Sequence, residues 1–449
     1  MIQDLSFQES APTVQRSKTR AWLVTFMLVL LALVNWADKA VLGLVAVPLM
    51  KDLGIGPAEY GILASSIYFL FSASAICAGF IANRKATKWL LFGMVVIWSI
   101  CQFSIWLAPT FAMILISRIL LGLGEGPSSG LSFHAATKWF RNEERNLPMA
   151  LQNVGAFGGI AVAAPGVTYV ASRWGWHSAF FAVGVAGVLW LLVWLFIGKE
   201  GPYSASNKGE SSPGVVPSAF DGAIRVPYRR LLLSRSFIGV CCVGLAAYCA
   251  LSVMSAWLPT YLQKAHGYAP MGAAQIIMAI SLSAIFFLLT EATATNYLMK
   301  RGVGTRVARG VMAAGSNVVA GVFIMLVNVT TPGTLQVVFL CAGFGLGLVT
   351  FTTGAVMLSE FVPVLQRGAV LGLYVAIVTS AGIFAPVIFG WIVAAQGSPA
   401  AGYEAALLVT GIVVIIGGIL GLALIDPPRE AKRILDYVAT EASRTTTSH

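Results

Sequence analysis

Charge is what this sequence has least of. Only 10% of its 449 residues are Asp, Glu, Lys or Arg, against roughly a quarter in ordinary soluble domains. With 57% apolar residues, it carries more apolar surface than a soluble chain of this size hides, whereas a bilayer requires such surface. The sequence contains no His/Cys/Asp metal cluster, no Gly-x-Ser-x-Gly elbow and no phosphate-binding loop. These gaps argue against an integral-membrane enzyme and against a bound metal or cofactor. No large soluble domain supports a sensing receptor. The six cysteines (Cys77, Cys101, Cys241, Cys242, Cys249 and Cys341) all fall in apolar segments, without metal-ligand or disulfide spacing, and read as packing residues. No cleaved signal peptide is expected, since the first twenty residues are polar and end in Arg16, Lys18 and Arg20.

What is present is a series of apolar runs. A membrane helix needs about 20 mostly apolar residues, and that ruler gives twelve spans near 21–47, 60–82, 89–108, 111–136, 148–171, 179–197, 237–262, 272–298, 308–328, 334–360, 369–395 and 404–425. The 46 glycines suit tightly packed membrane helices. The layout predicts an N-tail over 1–20, a six-helix bundle over 21–197, a linker over 198–235, a second bundle over 236–426 and a tail over 427–449. The net charge of +11 does not point to nucleic acid, because the basic residues sit in short loops. Lys51, Arg173 and Lys264 fall on one side and Lys39 and Arg118 lie inside spans. All the remaining basic residues group with the termini, which predicts that both termini are cytoplasmic. The halves also echo each other: Asn83-Arg84 ends the second span, and Asn296-Tyr297 with Lys300-Arg301-Gly302 ends the eighth.

Charges inside spans are costly, at least ~2.5–3.5 kcal/mol at the bilayer centre, and usually functional. Asp38 and Lys39 lie on the first span within Asn35-Trp36-Ala37-Asp38-Lys39. Arg118 and Glu125 lie on the fourth, in a run that continues Gly122-Leu-Gly124-Glu125-Gly126-Pro127. Asn35 and Lys39 share a helix face. Arg118 and Glu125, seven apart, return to nearly one face. The three glycines thin the fourth helix for a neighbour or a substrate, and Pro127 is expected to bend it. A structural cluster tying two helices together is one reading of these four charges. The other is a transport site. Two cations and two carboxylates sum to zero, so an incoming anion leaves a net negative site unless Asp38 or Glu125 takes a proton. That is the physical basis of anion–proton symport. Glu291 on the eighth span is a secondary candidate, near enough to the basic loop to reach that interface instead.

At these residues the chain resembles the major facilitator superfamily, and within it the anion:cation symporters, a group of sugar-acid, hexuronate and phthalate permeases and the vertebrate sialin and vesicular glutamate carriers. The family pattern Asn-Tyr-x-Asp-Arg appears as Asn35 to Lys39, and Arg-x-x-x-Gly-x-Gly-Glu is intact from Arg118 to Glu125. Trp139-Phe140, Glu144-Arg145, Gly175-Trp176 and Trp257 to Leu262 also match. The resemblance implies that Asp38 pairs with Arg118 and helps open the outward gate, that Glu125 is a second proton carrier, and that Lys39 anchors a carboxylate. There are departures. Lys39 stands where arginine is usual, so a point charge replaces a bidentate grip. Asn83 and Asn296 replace loop aspartates, and His177 replaces an arginine. Phe71 and Ala75 stand where Tyr and Gln are common in sugar-acid carriers, and Val378-Thr379-Ser380 replaces a usual asparagine.

The expectation is an all-α membrane protein of twelve transmembrane helices in two six-helix bundles, the major facilitator fold, rocking around a central cavity between helices one, four, seven and ten. Asp38, Glu125 and Arg118 are the expected proton-coupling residues. Lys39, Asn35, Tyr68, Phe71, Trp257 and Tyr374, with the stretch Gly343 to Gly347, are the expected substrate lining, and ordinary helix packing is the other reading of the aromatics. The departures predict a cavity poorer in hydrogen-bond partners, hence a carboxylate less polar than a sugar acid. A sugar-acid symporter and a proton-driven exporter of amphipathic compounds are the alternatives. Expected partners are the small organic anion, protons and the lipid bilayer of a bacterial inner membrane, with the protein a monomer.

Overall fold

A computed structural model describes residues 17–82, 85–140, 144–204 and 225–447. Arg16, Asn83, Arg84, Arg141 and most of the expected linker lie outside the described residues. Eleven helices among the described residues are long and apolar enough to cross a membrane. In order, spans one to six are Lys18–Leu44, Pro57–Ala78, Thr87–Leu107, Phe111–Thr137, Leu147–Trp174 and Trp176–Ile197. Spans seven to nine are Arg235–Ala256, Pro270–Lys300 and Arg306–Val329, and spans eleven and twelve are Leu365–Ala395 and Pro399–Leu424. The expected tenth span is split into Thr334–Gly347 and Thr350–Phe361. Its three glycines, at 343, 345 and 347, favour helix least among residues other than proline. The fourth span is also interrupted, ending its first helix at Glu125 and resuming at Ser128, because Pro127 lacks the backbone donor that would continue it.

Phe196, Leu107, Phe286 and Trp391 are exposed on the outside, as side chains facing lipid are when every backbone group is satisfied within the helix. Inside, small residues set the helix spacing. A methyl group at Gly159 would collide with the Leu33 carbonyl, and one at Gly155 would lie 2.8 Å from the Val29 carbonyl, so the fifth span sits directly on the first. Gly122 and Gly126 likewise meet the carbonyls of Ile67 and Phe71 on the second span, and Gly124 meets the Trp98 indole at 2.7 Å. The room these glycines make is therefore filled by the second and third spans.

The two halves meet at the end of the bundle away from the termini. There the Tyr60 hydroxyl donates to the Ala256 carbonyl at 2.9 Å. Gly43 lies against Ser255, Gly61 against Pro386 and Gly390 against Pro57, all too tightly for a side chain. Farther in, Ser72 and Thr379 share a hydrogen bond of 3.0 Å. The polar tail is a helix, Pro427–Thr447. It buries Ile434, and Glu430 accepts from the Arg235 backbone N–H at the start of the seventh span.

Candidate functional site

The first and fourth spans bring the four charges together, Asp38, Arg118 and Glu125 buried and Lys39 nearly so. Asp38, Arg118 and Glu125 are at most 2% exposed. The Lys39 ammonium lies 3.3 Å from Glu125 Oε2 and donates to Asn35 Oδ1 at 2.6 Å. The shared face of Asn35 and Lys39 is thus occupied as its spacing requires. Two aromatic rings flank the ammonium, Trp36 at 4.8 Å and Phe71 at 5.4 Å from the ring centroids, in the range where the ring quadrupole attracts a cation. The expected ion pair of Asp38 with Arg118 takes another form. Arg118 Nη1 donates to the backbone carbonyl of Asp38 at 3.2 Å, while the Asp38 carboxylate accepts from Gln102 Nε2 on the third span at 2.7 Å. The rotation of about 100° between consecutive helix positions explains this: Asp38 points to the third span and Lys39 to the fourth.

A cavity of about 280 Å³ lies beside this cluster, on the side nearer the termini. Its first-span residues, Leu31 to Trp36, precede Lys39. Its fourth-span residues, Ser128 to Phe133, follow Glu125. One wall is polar, with Asn35, Ser128, Ser129, Ser132, Gln152 and Asn153; the other is apolar, with Leu251, Leu288, Leu348 and Phe351 beside Tyr248. The six polar residues come from the first half of the chain, which also lines the cavity with Leu31, Trp36, Phe133 and Phe157, whereas the second half contributes apolar side chains and Tyr248. The serines and the Gln152-Asn153 pair were not picked out from the sequence. Their signal was present as polar residues one turn apart beyond Pro127 and as an amide pair early in the fifth span.

The remaining expected residues are distributed unevenly. Tyr68 stands behind the cavity, lining a small pocket with Lys39 and Arg118 and meeting Tyr248 edge-on at 5.7 Å. Phe71 packs under Lys39. Trp257 is not in the cavity wall: it is fully buried, its indole N–H donates to the Pro386 carbonyl at 2.9 Å, and its ring stacks on Phe389. Tyr374 is packed behind the seventh span against Gly244 and Gly354. Gly343 and Gly345 face Ile324 and Ser283 in helix contacts, and the tenth span reaches the cavity through Leu348 and Phe351 instead. Glu291 is buried off the cavity, accepting from Thr295 at 3.3 Å and from Thr353 of the tenth span at 3.2 Å. Asn296 is exposed, and His177 stacks on Trp176 with ring centroids 3.8 Å apart.

Two groups of helices around a central cavity, with buried opposite charges at its closed end, are the anatomy of an alternating-access carrier. The sequence profile of the Major Facilitator Superfamily matches residues 28–353. The chain belongs to the Major Facilitator Superfamily. This superfamily member is a membrane transporter and not an enzyme. It is 27% identical over 447 residues to the "Probable galactarate/D-glucarate transporter" of Bacillus subtilis (strain 168), covering 94% of this chain and 95% of that one. It is 24% identical to the hexuronate transporter of the same organism, covering 90% and 94%. Among solved structures, a bacterial homolog to the human lysosomal transporter Spinster, inward-facing and occupied, superposes with a TM-score of 0.75 at 16% identity, covering 91% of this chain and 97% of that one.

Proposed function

We propose that this transporter imports a small organic carboxylate together with protons, across a bacterial inner membrane, as a monomer with both termini cytoplasmic. The halves 21–197 and 236–426 rock about the buried charges. With that orientation, closure away from the termini makes the state described above inward-facing. The observation that carries the reading is the contact of Lys39 with Glu125 at the closed end of the cavity. A substrate carboxylate and Glu125 compete for one ammonium. When Glu125 takes a proton, Lys39 is released to the substrate and the site stays neutral, so anion and proton bind as a pair. Asp38, held by Gln102 rather than by Lys39, carries a separate proton, and Arg118 links it to the fourth span. The apolar wall of Leu251, Leu288, Leu348 and Phe351 supports a substrate less polar than a sugar acid. The polar wall, with the sugar-acid names of the relatives, supports a sugar acid as the second reading.

The test is uptake of radiolabelled carboxylates into liposomes under an inside-alkaline gradient, with Asp38→Asn and Glu125→Gln run beside the natural sequence. The expected result is accumulation of one acid that is lost in both variants while exchange survives. Accumulation indifferent to both changes would return the four charges to scaffolding and favour an exporter or exchanger.

A further inference from the structure

A serine or threonine inside a helix commonly returns its hydroxyl to a carbonyl one turn back. Ser74, Ser104, Ser252, Ser281 and Thr379 all do so, at 2.8 to 2.9 Å. The serines of the cavity do not. Ser128 and Ser132 are only 4% and 5% exposed, yet neither side chain makes a hydrogen bond within the protein and neither oxygen is sealed. Both open into the cavity that they line. The break at Pro127 accounts for Ser128 and Ser129, which start a new helix and have no full turn of it behind them. Ser132 has the Ser128 carbonyl one turn back and leaves it unused. Ser129, exposed, and Asn153, half-buried, also line the cavity without spending their side chains on the protein. Asn35 Nδ2 and Gln152 Oε1, by contrast, are closed off from it.

These open groups belong to one side of the site. Ser128 and Ser132 share a helix face, one turn or about 6 Å apart along the axis. Both follow Glu125 in the chain, so they lead down the cavity from the Lys39–Glu125 contact. The second half lines the cavity with Leu251, Leu288, Leu348 and Phe351, which offer no hydrogen bond, and with Tyr248, its one hydroxyl among the described lining residues. When the halves close and water leaves, a substrate hydroxyl turned to the serines keeps a partner. One turned to the leucines loses its partner, which is costly. We propose that Ser128, Ser129, Ser132 and Asn153 make the site selective for carboxylates that are hydroxylated along one edge and hydrocarbon along the other. The proposal rests on the carboxylate-symport reading above and deepens it. The acid it describes is neither bare of hydroxyls nor hydroxylated on every side, as a sugar acid is.

Ring acids fix where a hydroxyl sits. The test is gradient-driven uptake of benzoate, 3-hydroxybenzoate, 3,5-dihydroxybenzoate and gluconate by the full chain in liposomes, each measured in excess of protein-free liposomes. Turning about the carboxylate axis brings a single meta hydroxyl to the serines, but always leaves one hydroxyl of the 3,5-acid on the opposite edge. The natural sequence is expected to favour 3-hydroxybenzoate over benzoate by about threefold or more, and over the 3,5-acid and gluconate by about tenfold. With Ser128→Ala and Ser132→Ala together the first ratio falls to about one, and a ratio taken within one protein does not depend on how much of it folds. Leu288→Ser, which gives the opposite wall a hydroxyl, narrows the ratio against the 3,5-acid. Uptake of the 3,5-acid or of gluconate equal to or above that of 3-hydroxybenzoate overturns the proposal. So does a preference for 3-hydroxybenzoate over benzoate that survives both serine changes, or a protein that carries other carboxylates but none of the ring acids. If no carboxylate accumulates at all, it is the carboxylate-symport reading that fails.

Discussion

Replacing Glu125 by glutamine should remove the share of the pH dependence of substrate binding that Glu125 carries, leaving that of Asp38, and should tighten binding in alkaline solution. Lys39 and Glu125 lie 3.3 Å apart, and at an effective dielectric constant of about 20 their attraction is about 5 kcal/mol. Loss of one partner of a buried pair costs about 3–5 kcal/mol, because the other charge is stranded. In Glu125→Gln the stranded charge is the Lys39 ammonium, and a substrate carboxylate compensates it. The natural protein instead has to displace the ionised Glu125 or protonate it. One proton taken up with one anion changes the apparent dissociation constant by about tenfold per pH unit while Glu125 titrates. The competition caps the total change near three powers of ten, the equivalent of roughly 4–5 kcal/mol. Equilibrium binding of a radiolabelled acid to purified protein, followed from acid to alkaline pH, measures this slope. A Glu125→Gln protein that keeps the natural slope would place the coupled proton elsewhere. Weaker binding than the natural protein at alkaline pH would show that Glu125 does not compete for Lys39.

Other perturbations test the scaffold around this pair. Gly122→Ala drives a methyl group into the Ile67 carbonyl and should destabilise the protein by about 1–3 kcal/mol, read as a lowered melting temperature, whereas Gly130→Ala, with open space around it, should not. Gln102→Leu removes the hydrogen bond that holds the Asp38 carboxylate and should cost about 1–3 kcal/mol, with the loss relieved in a protein that also carries Asp38→Asn. His266, in the loop after Leu258–Lys264, has its Nε2 2.7 Å from the Tyr261 hydroxyl and 3.1 Å from Gln336 Nε2. Burial pushes its imidazole below the ordinary histidine value, only partly offset by Glu404. A lowered value means that the folded state resists protonation, so this contribution is present above ~6.5 and is lost as pH falls through the lower folded value. Thermal melts should therefore lose stability on acidification, and His266→Gln should flatten that dependence.

Much of the fold was legible because bilayer thickness sets a length that apolar runs meet or fail to meet. The twelve expected runs fall where helices stand. The split tenth span escaped detection because apolar content and helix continuity are separate properties, and its three glycines lower the second without touching the first. At the site, the cost of intramembrane charge singled out Asp38, Lys39, Arg118 and Glu125. Which carboxylate meets which cation depends on helix rotation, which spacing along one helix does not fix. The aromatics misled for a related reason. Trp257 and Tyr374 lie on lining helices but point into helix contacts, and a residue's face on a helix apolar all round leaves no periodic mark. Ser128, Ser132 and Gln152 are uncharged, so the bilayer cost that exposed the charges gave them no comparable signal.

On the proposed reading, in which an acid and a proton move together, the asymmetry of the cavity bears on how the two are coupled. All four charges and the polar wall come from the first half, while the second half contributes mainly apolar surface. Ion pairing and hydrogen bonding to the substrate can therefore form and break within one half, without long-range rearrangement. The second half forms a hydrophobic cover whose contact with the first is set by shape and by hydrogen bonds such as Tyr60 to Ala256 and Ser72 with Thr379. Shape contacts such as Gly43 on Ser255 and Gly61 on Pro386 tolerate little displacement, so they favour discrete closed and open states over a continuum. On the proposed reading, a proton that neutralises Glu125 changes the first half electrostatically, and the cover is expected to respond only when the bound acid alters the surface on which it closes. On this arrangement coupling requires both ligands, since a proton alone leaves Lys39 without its partner and an anion alone leaves the buried site negative.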